Sequence, residues 1–175
     1  MDMPAKARTA RPPVRLDPTD RALVVSLSRD GRRAAAGLAK ELGLSRQAVT
    51  ERLRSLEERG VVRGYRADVD PDALGLSVRA QLRLTLDGAA SAQKEREVVR
   101  LLTANPLVRS VYRVSGEDCF VADVVCRRIE DVSALLAQLK QTHVIQSSRT
   151  AFVLEPLLDR RGFGPLDPSL VGGEA

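Results

Sequence analysis

The chain has 175 residues, room for one ordinary domain or two small ones. Hydrophobic residues make up 43% and charged residues 29%, which excludes a disordered chain, and no apolar run approaches the roughly 20 residues that a membrane span needs. The net charge is +5, yet residues 1–66 carry 15 Lys+Arg against 8 Asp+Glu and residues 67–175 carry 13 against 15, so the basic excess lies wholly in the first third, where a polyanion is a natural partner.

Aromatics are only 3% and Trp is absent, so the core must rest on Leu, Val and Ala. The first residues carry Arg and Lys with no apolar stretch behind them, which argues against a secretory signal and for a cytoplasmic protein. Residues 1–15 read as a flexible basic arm.

A helix-turn-helix follows over residues 16–66. Asp17 and Thr19 are helix-start residues; Ala22, Leu23 and Leu27 form an apolar stripe that Gly31 ends. A second stripe is Ala34, Ala35, Leu38 and Leu42. Gly43-Leu44-Ser45 is a compact turn with a good N-cap at its end, and a third helix runs from about Arg46 to Arg59 before Gly60. At about 100° per residue, Val49, Leu53 and Leu56 share an arc of about 60°, while Gln47, Thr50, Glu51 and Arg54 fall opposite. Apolar residues that hold the helix to its domain and hydrogen-bonding residues aimed outward suit a helix in the DNA major groove. Any amphipathic surface helix shares that pattern; the Gly43 turn and the charge asymmetry tip the reading toward DNA. Gln47, Thr50 and Arg54 are candidate base readers; Ser45 and Arg46 lie at the helix N-terminus, near phosphates. Arg32 and Arg33 are candidate backbone contacts ahead of the second helix. Glu51 has two readings, as an acceptor for cytosine or as a salt-bridge partner of Arg52 or Arg54. Residues 61–69 are β-prone around Gly64 and predict a short wing or strand, with a hinge over 67–76.

Val78, Ala80, Leu82, Leu84 and Leu86 alternate with polar residues, a clear strand signal. A helix over about 91–104 ends at Asn105-Pro106, and a strand follows over 107–114. Ser115 to Asp118 turns the chain into a third strand over 119–126. Val132, Leu135, Leu136 and Leu139 mark a helix, and 144–154 a fourth strand. The order βαββαβ over 77–157 predicts a ferredoxin-like antiparallel sheet with both helices on one face. Its other face is left for a symmetric partner. Residues 158–175 are a Gly- and Pro-rich tail. Cys119 and Cys126 are seven apart on one strand, on opposite faces, and predict free thiols.

Three stretches together resemble the Lrp/AsnC family of regulators: Leu16-Asp17-Pro18-Thr19-Asp20; Leu42-Gly43-Leu44-Ser45 with Val49 to Val62 and Gly64-Tyr65; and Val114-Ser115-Gly116-Glu117 between two sheet strands. The resemblance covers about residues 16–157. It implies an α+β chain, with a winged helix-turn-helix joined to a ferredoxin-like αβ sandwich of the RAM type. It implies a transcription regulator that binds double-stranded operator DNA as a homodimer, assembling to a tetramer or octamer. It also implies a small-molecule effector, often an amino acid, held between subunits. The effector residues it carries over are Gly116, Glu117 and Asp118 at the turn, and Ser148 and Thr150 on the last strand. One departure is that the family's Gly-Asp-x-Asp-aromatic turn stands here as Gly116-Glu117-Asp118-Cys119-Phe120.

Two other classes are an amino-acid-binding module without DNA binding and a haem-pathway decarboxylase-like enzyme on the same scaffold. The basic first third disfavours the module. The enzyme would depend on histidine, and the single His143 stands at a helix end. No metal-ligand cluster, nucleophile–base pair or phosphate loop is evident, so no cofactor, metal or catalytic residue is expected.

Overall fold

The computed structural model describes residues 13–158 and Val171. Its contacts divide the chain into two compact units, changing between Asp68 and Val69. The expected arm and tail lie largely outside the described residues.

Asp17 starts the first helix, α1 (Pro18–Arg29), because its carboxylate accepts from the Asp20 N–H at 2.7 Å. Pro18, with no N–H to leave unpaired, opens the helix. After α2 (Ala35–Leu42), Gly43 takes φ 65°, a left-handed conformation that glycine adopts cheaply, and closes the turn. Ser45 caps α3 (Arg46–Glu58) by accepting from the Ala48 N–H at 3.1 Å. Leu23, Leu38, Ala39, Val49 and Leu56 form the core of this unit. Each fully buried Leu contributes about 1.5–3 kcal/mol relative to exposure.

No strand forms over 61–69, contrary to the expectation from its β-prone residues. A strand needs a partner to take its backbone groups, and the described chain offers none here. The segment instead folds back at the end of α3. Val61 and Val62 donate to the Leu56 carbonyl at 2.9 and 3.2 Å, and both side chains pack on the three-helix core.

The second unit opens with a 3-10 turn at Asp72–Leu74, then β1 (Val78–Leu86), α4 (Ala92–Ala104), β2 (Val108–Arg113), β3 (Phe120–Cys126), α5 (Ile129–Lys140) and β4 (Ile145–Phe152). All pairings are antiparallel, in the order β2-β3-β1-β4. This is the α+β, ferredoxin-like arrangement that the element order predicts. Ala80, Leu82, Leu84 and Leu86 of β1 share one face with Phe120, Ala122, Val124 and Cys126 of β3. Val98, Leu102, Val132, Leu135 and Leu139 of the two helices cover that face. The apolar side of β1 is therefore spent within the chain. The outer face is mixed: Arg79, Gln81, Arg83 and Thr85 stand beside Val121, Asp123 and Val125, with Tyr112 on β2 56% exposed. At the inner rim, the Arg113 guanidinium lies 5.0 Å from the Phe120 ring centre and pairs with Glu95 of α4.

β4 carries one extra residue against β1. Leu86 pairs with Ile145 but Thr85 pairs with Ser147, so Gln146 is a bulge.

Candidate DNA-reading helix and effector turn

Ser45, Arg46, Gln47, Thr50, Glu51 and Arg54 are all exposed on α3, while Val49 and Leu56 are fully buried. At about 100° per residue, Gln47, Glu51, Arg54 and Glu58 lie within an arc of about 60°, diametrically opposite Val49 and Leu56. The helix therefore presents one continuous polar stripe outward.

Side-chain bonds decide what each of these residues offers. The Ser45 hydroxyl is committed to capping. Thr50 donates its hydroxyl hydrogen to the Arg46 carbonyl at 2.9 Å, which leaves its methyl and a lone pair outward. Glu51 accepts from Gln47 Nε2 at 3.1 Å, so neither Arg52 nor Arg54 is its partner. Arg54 donates from Nε to Glu58 at 2.8 Å instead. Arg33 is held by Glu41 at 2.5 Å, and Glu41 also accepts from Ser26 at 2.8 Å. Arg32 is exposed, and its backbone N–H donates to Asp30 at 2.9 Å.

Arg52 points the other way. It donates to Asp17 at 2.6 Å and to the buried Asp20 at 2.8 Å. Arg59 adds bonds to Asp20 at 3.0 Å and to the Arg15 carbonyl at 2.5 Å. These residues fix α3 on α1 and so aim the outer stripe. The Asp20 N–H bond and then the Arg52 bond hold the Asp17 carboxyl below its ordinary range. Sequence reasoning missed this network. The signal for it was Asp17 and Asp20, one helical turn apart, facing a third helix whose Arg52 lies on its inner half.

In the second unit, Gly116 takes φ 120° with nothing within 4 Å of where a Cβ would stand; backbone conformation, not space, asks for glycine. Glu117 and Asp118 follow. Arg149 of β4 bonds Glu117 at 3.1 Å and Asp118 at 3.4 Å, while Arg83 of β1 stands 3.8 Å from Asp118. Thr85 donates its hydroxyl to the Glu117 carbonyl at 3.3 Å. The Glu117 bond and the two acids raise the Arg149 pKa. Asp118 is the more enclosed acid, with its side chain 12% exposed against 86% for Glu117.

Ser148 and Thr150 are not brought to this cluster. They pair with Leu84 and Leu82 and so share the helix-covered side of the sheet. Arg149, between them, pairs with Arg83 and shares the outer side with the turn acids. Arg83 and Arg149 are the cluster residues that sequence reasoning missed; alternation along β4 would have placed Arg149 opposite its two neighbours.

Other chemistry is sparse among the described residues. No group of three or more His, Cys, Asp or Glu is placed to hold a metal ion, and no helix is long and apolar enough to cross a membrane. His143 is exposed with φ 58°, a conformation it supplies to end the turn after α5. Cys119 and Cys126 are free thiols.

Residues 16–63 match the winged helix-turn-helix DNA-binding family, and residues 79–163 match the Lrp/AsnC ligand binding domain. The chain is 32% identical over 152 residues to the HTH-type transcriptional regulator AldR of Mycolicibacterium smegmatis, covering 86% of each chain. It is 35% identical over 147 residues to the HTH-type transcriptional regulator LrpA of Mycobacterium tuberculosis, covering 83% of this chain and 95% of that one. Among solved structures, Escherichia coli AsnC superposes with a TM-score of 0.75 at 28% identity, covering 85% of this chain and 98% of that one. A transcriptional regulator from Neisseria meningitidis, solved with L-Met, gives 0.77 at 25% identity, covering 83% and 94%. These relatives are transcriptional regulators, not enzymes. Two-domain coverage at this identity settles the assignment: the chain belongs to the Lrp/AsnC family of DNA-binding transcriptional regulators with a ligand-binding domain.

Proposed function

We propose that α3 reads operator DNA through Gln47, Thr50 and Arg54, with Glu51 beside them on the same face, and that effector binding at the turn Gly116–Asp118 tunes this. The observation that carries the reading is the polar stripe of α3, set opposite its buried Val49 and Leu56. Ser45 and Arg46 at the helix N-terminus, with Arg32 and Arg33 ahead of α2, contact phosphates. A homodimer sets two such helices into successive major grooves about one turn apart. Tyr112, Val121 and Val125 on the outer sheet face support pairing of two sheets, with tetramers or octamers built from those dimers. The protein acts in the cytoplasm, where its DNA is.

The effector is an amino acid. Support comes from the paired acids and guanidiniums around Asp118, which complement both charges of a zwitterion, and from the L-Met bound to the Neisseria meningitidis relative. Binding changes the assembly and so changes operator affinity by linkage. The enclosed Asp118 and the exposed Glu117 hold the ammonium group; Ser148 and Thr150, on the far side of the sheet, act only through the strand.

A mobility-shift titration tests this, with the promoter of the chain's own gene, two salt concentrations, non-specific competitor and the twenty amino acids. A competitor-resistant, salt-sensitive shift that one amino acid alters supports the reading. Folded protein that gives no shift at either salt sinks it.

A further inference from the structure

Two carboxylates sit on the outward stripe of α3, and their sign is wrong for a surface that meets phosphates. Glu51 and Glu58 are both exposed, in a unit whose excess charge is otherwise positive. Each costs non-specific affinity by repelling the backbone. Their bonds point to a compensating role. Glu51 accepts from Gln47 Nε2 at 3.1 Å, and Glu58 accepts from Arg54 Nε at 2.8 Å. In both cases the acid lies one turn after a candidate reader, on the same face.

What remains free on each reader is its reading edge. An ionised carboxylate only accepts, so Gln47 must turn its amide nitrogen toward Glu51. Its second N–H and its carbonyl oxygen stay available, the donor and acceptor that meet the major-groove edge of adenine. Arg54 spends only Nε on Glu58. Its two terminal nitrogens remain as a parallel fork for guanine O6 and N7. The neighbouring Glu57 is a contrast: it accepts from the Tyr65 hydroxyl at 2.9 Å and holds no reader.

We propose that Glu51 and Glu58 are positioning residues, which pre-set Gln47 and Arg54 for base contact and trade general affinity for sequence discrimination. This rests on the reading of α3 as the groove helix. The physical gain is entropic. A free Arg or Gln loses rotamer freedom when it docks, and one already held loses less. The saving accrues only to a base placed where the held side chain points. Both pairs are exposed, so the hold is a bias rather than a lock, and the effects are modest.

The two roles of the acids have opposite signs, which makes the proposal testable. The full chain would first select from duplexes with a randomised site. Its dissociation constants for the selected and for a scrambled duplex would then be measured at two salt concentrations. Glu58→Ala should tighten scrambled-duplex binding about two- to threefold. It should also lower the selected-to-scrambled ratio about twofold and broaden preference at the position that Arg54→Ala broadens. In the Arg54→Ala background the same change should leave the ratio unmoved. Glu58→Gln, which still accepts from Nε, should retain the ratio. Glu51→Ala and Glu51→Gln should behave likewise with Gln47→Ala as reference. If the alanine variants strengthen binding to both duplexes equally, the acids are simple repulsive charges and the proposal fails. If the wild-type chain selects no sequence, the α3 reading fails and takes the proposal with it.

Discussion

Arg52 of α3 reaches Asp20 of α1 at 2.8 Å, and the acid is buried while the arginine is half-exposed. Asp20 also receives Arg59, so one buried carboxylate gathers two cations from the far helix. Asp20→Ala removes the shared acid, leaving Arg52 with Asp17 and Arg59 with the Arg15 carbonyl, and water reaches both guanidiniums. A loss of about 1–3 kcal/mol is expected in urea unfolding. A change under 0.5 kcal/mol would show that the ion pairs do not fix α3.

Asp17 supplies the pH dependence of the same joint. Its pKa is depressed in the folded chain, first by the Asp20 N–H and then by Arg52. Its contribution is therefore present above the unfolded carboxylate range and is lost as pH falls through the lower folded value. Asp17→Asn, which keeps an N-cap oxygen, should be less stable than wild type at pH 7 and converge on it in strong acid. Parallel stability curves across that range would remove Asp17 from the account.

Arg54→Ala should weaken operator binding by about 1–3 kcal/mol and relax base preference at one position. Arg32→Ala should weaken all sequences alike and lower the salt slope by about one. Fluorescence anisotropy against matched and mismatched duplexes separates the two. Normal operator binding by Arg54→Ala would mean that the wrong face of α3 has been assigned.

Asp118→Asn tests the effector turn without threatening the fold. Its partners Arg83 and Arg149 are more than half exposed, so a stability change below about 1 kcal/mol is expected. Amino-acid effects on DNA affinity should nevertheless disappear. Persistence of the response would place the effector elsewhere.

His143 holds a left-handed backbone that costs a non-glycine residue about 1–2 kcal/mol. Glycine relieves that strain but adds unfolded-state freedom, so His143→Gly should stabilise by about 0.5 kcal/mol. His143→Val should destabilise. Thermal melts at pH 7 would show the order Gly above His above Val, and any other order would mean that the conformation is not retained.

Much of this fold is written in local pattern. The alternation of Val78 to Leu86, the Gly43 turn and the Asn105-Pro106 break each carry their meaning within a few residues. The β-prone stretch at 61–69 failed as a strand because pairing is not a local property. The outward stripe of α3 followed from helical period alone, but its bonds did not: Glu51 could be read as an acceptor for cytosine or as a partner of Arg52 or Arg54, and it holds Gln47. At the turn proposed for the effector, Gly116, Glu117 and Asp118 came from family resemblance, and Arg149 came only from sheet register.

Gln146 gives that register a consequence for how such a regulator can change. Ile145 and Arg149 are four apart, and an unbroken strand would set both on one side. The single bulged residue lets Ile145 face the core while Arg149 faces the turn acids. Losing one residue there would put the two on one side, turning Arg149 inward or Ile145 outward. The wiring of the turn acids thus depends on a count of residues as much as on their kinds. A one-codon deletion at this spot that keeps Ile145 in the core would uncouple the turn while leaving every residue named in it unaltered.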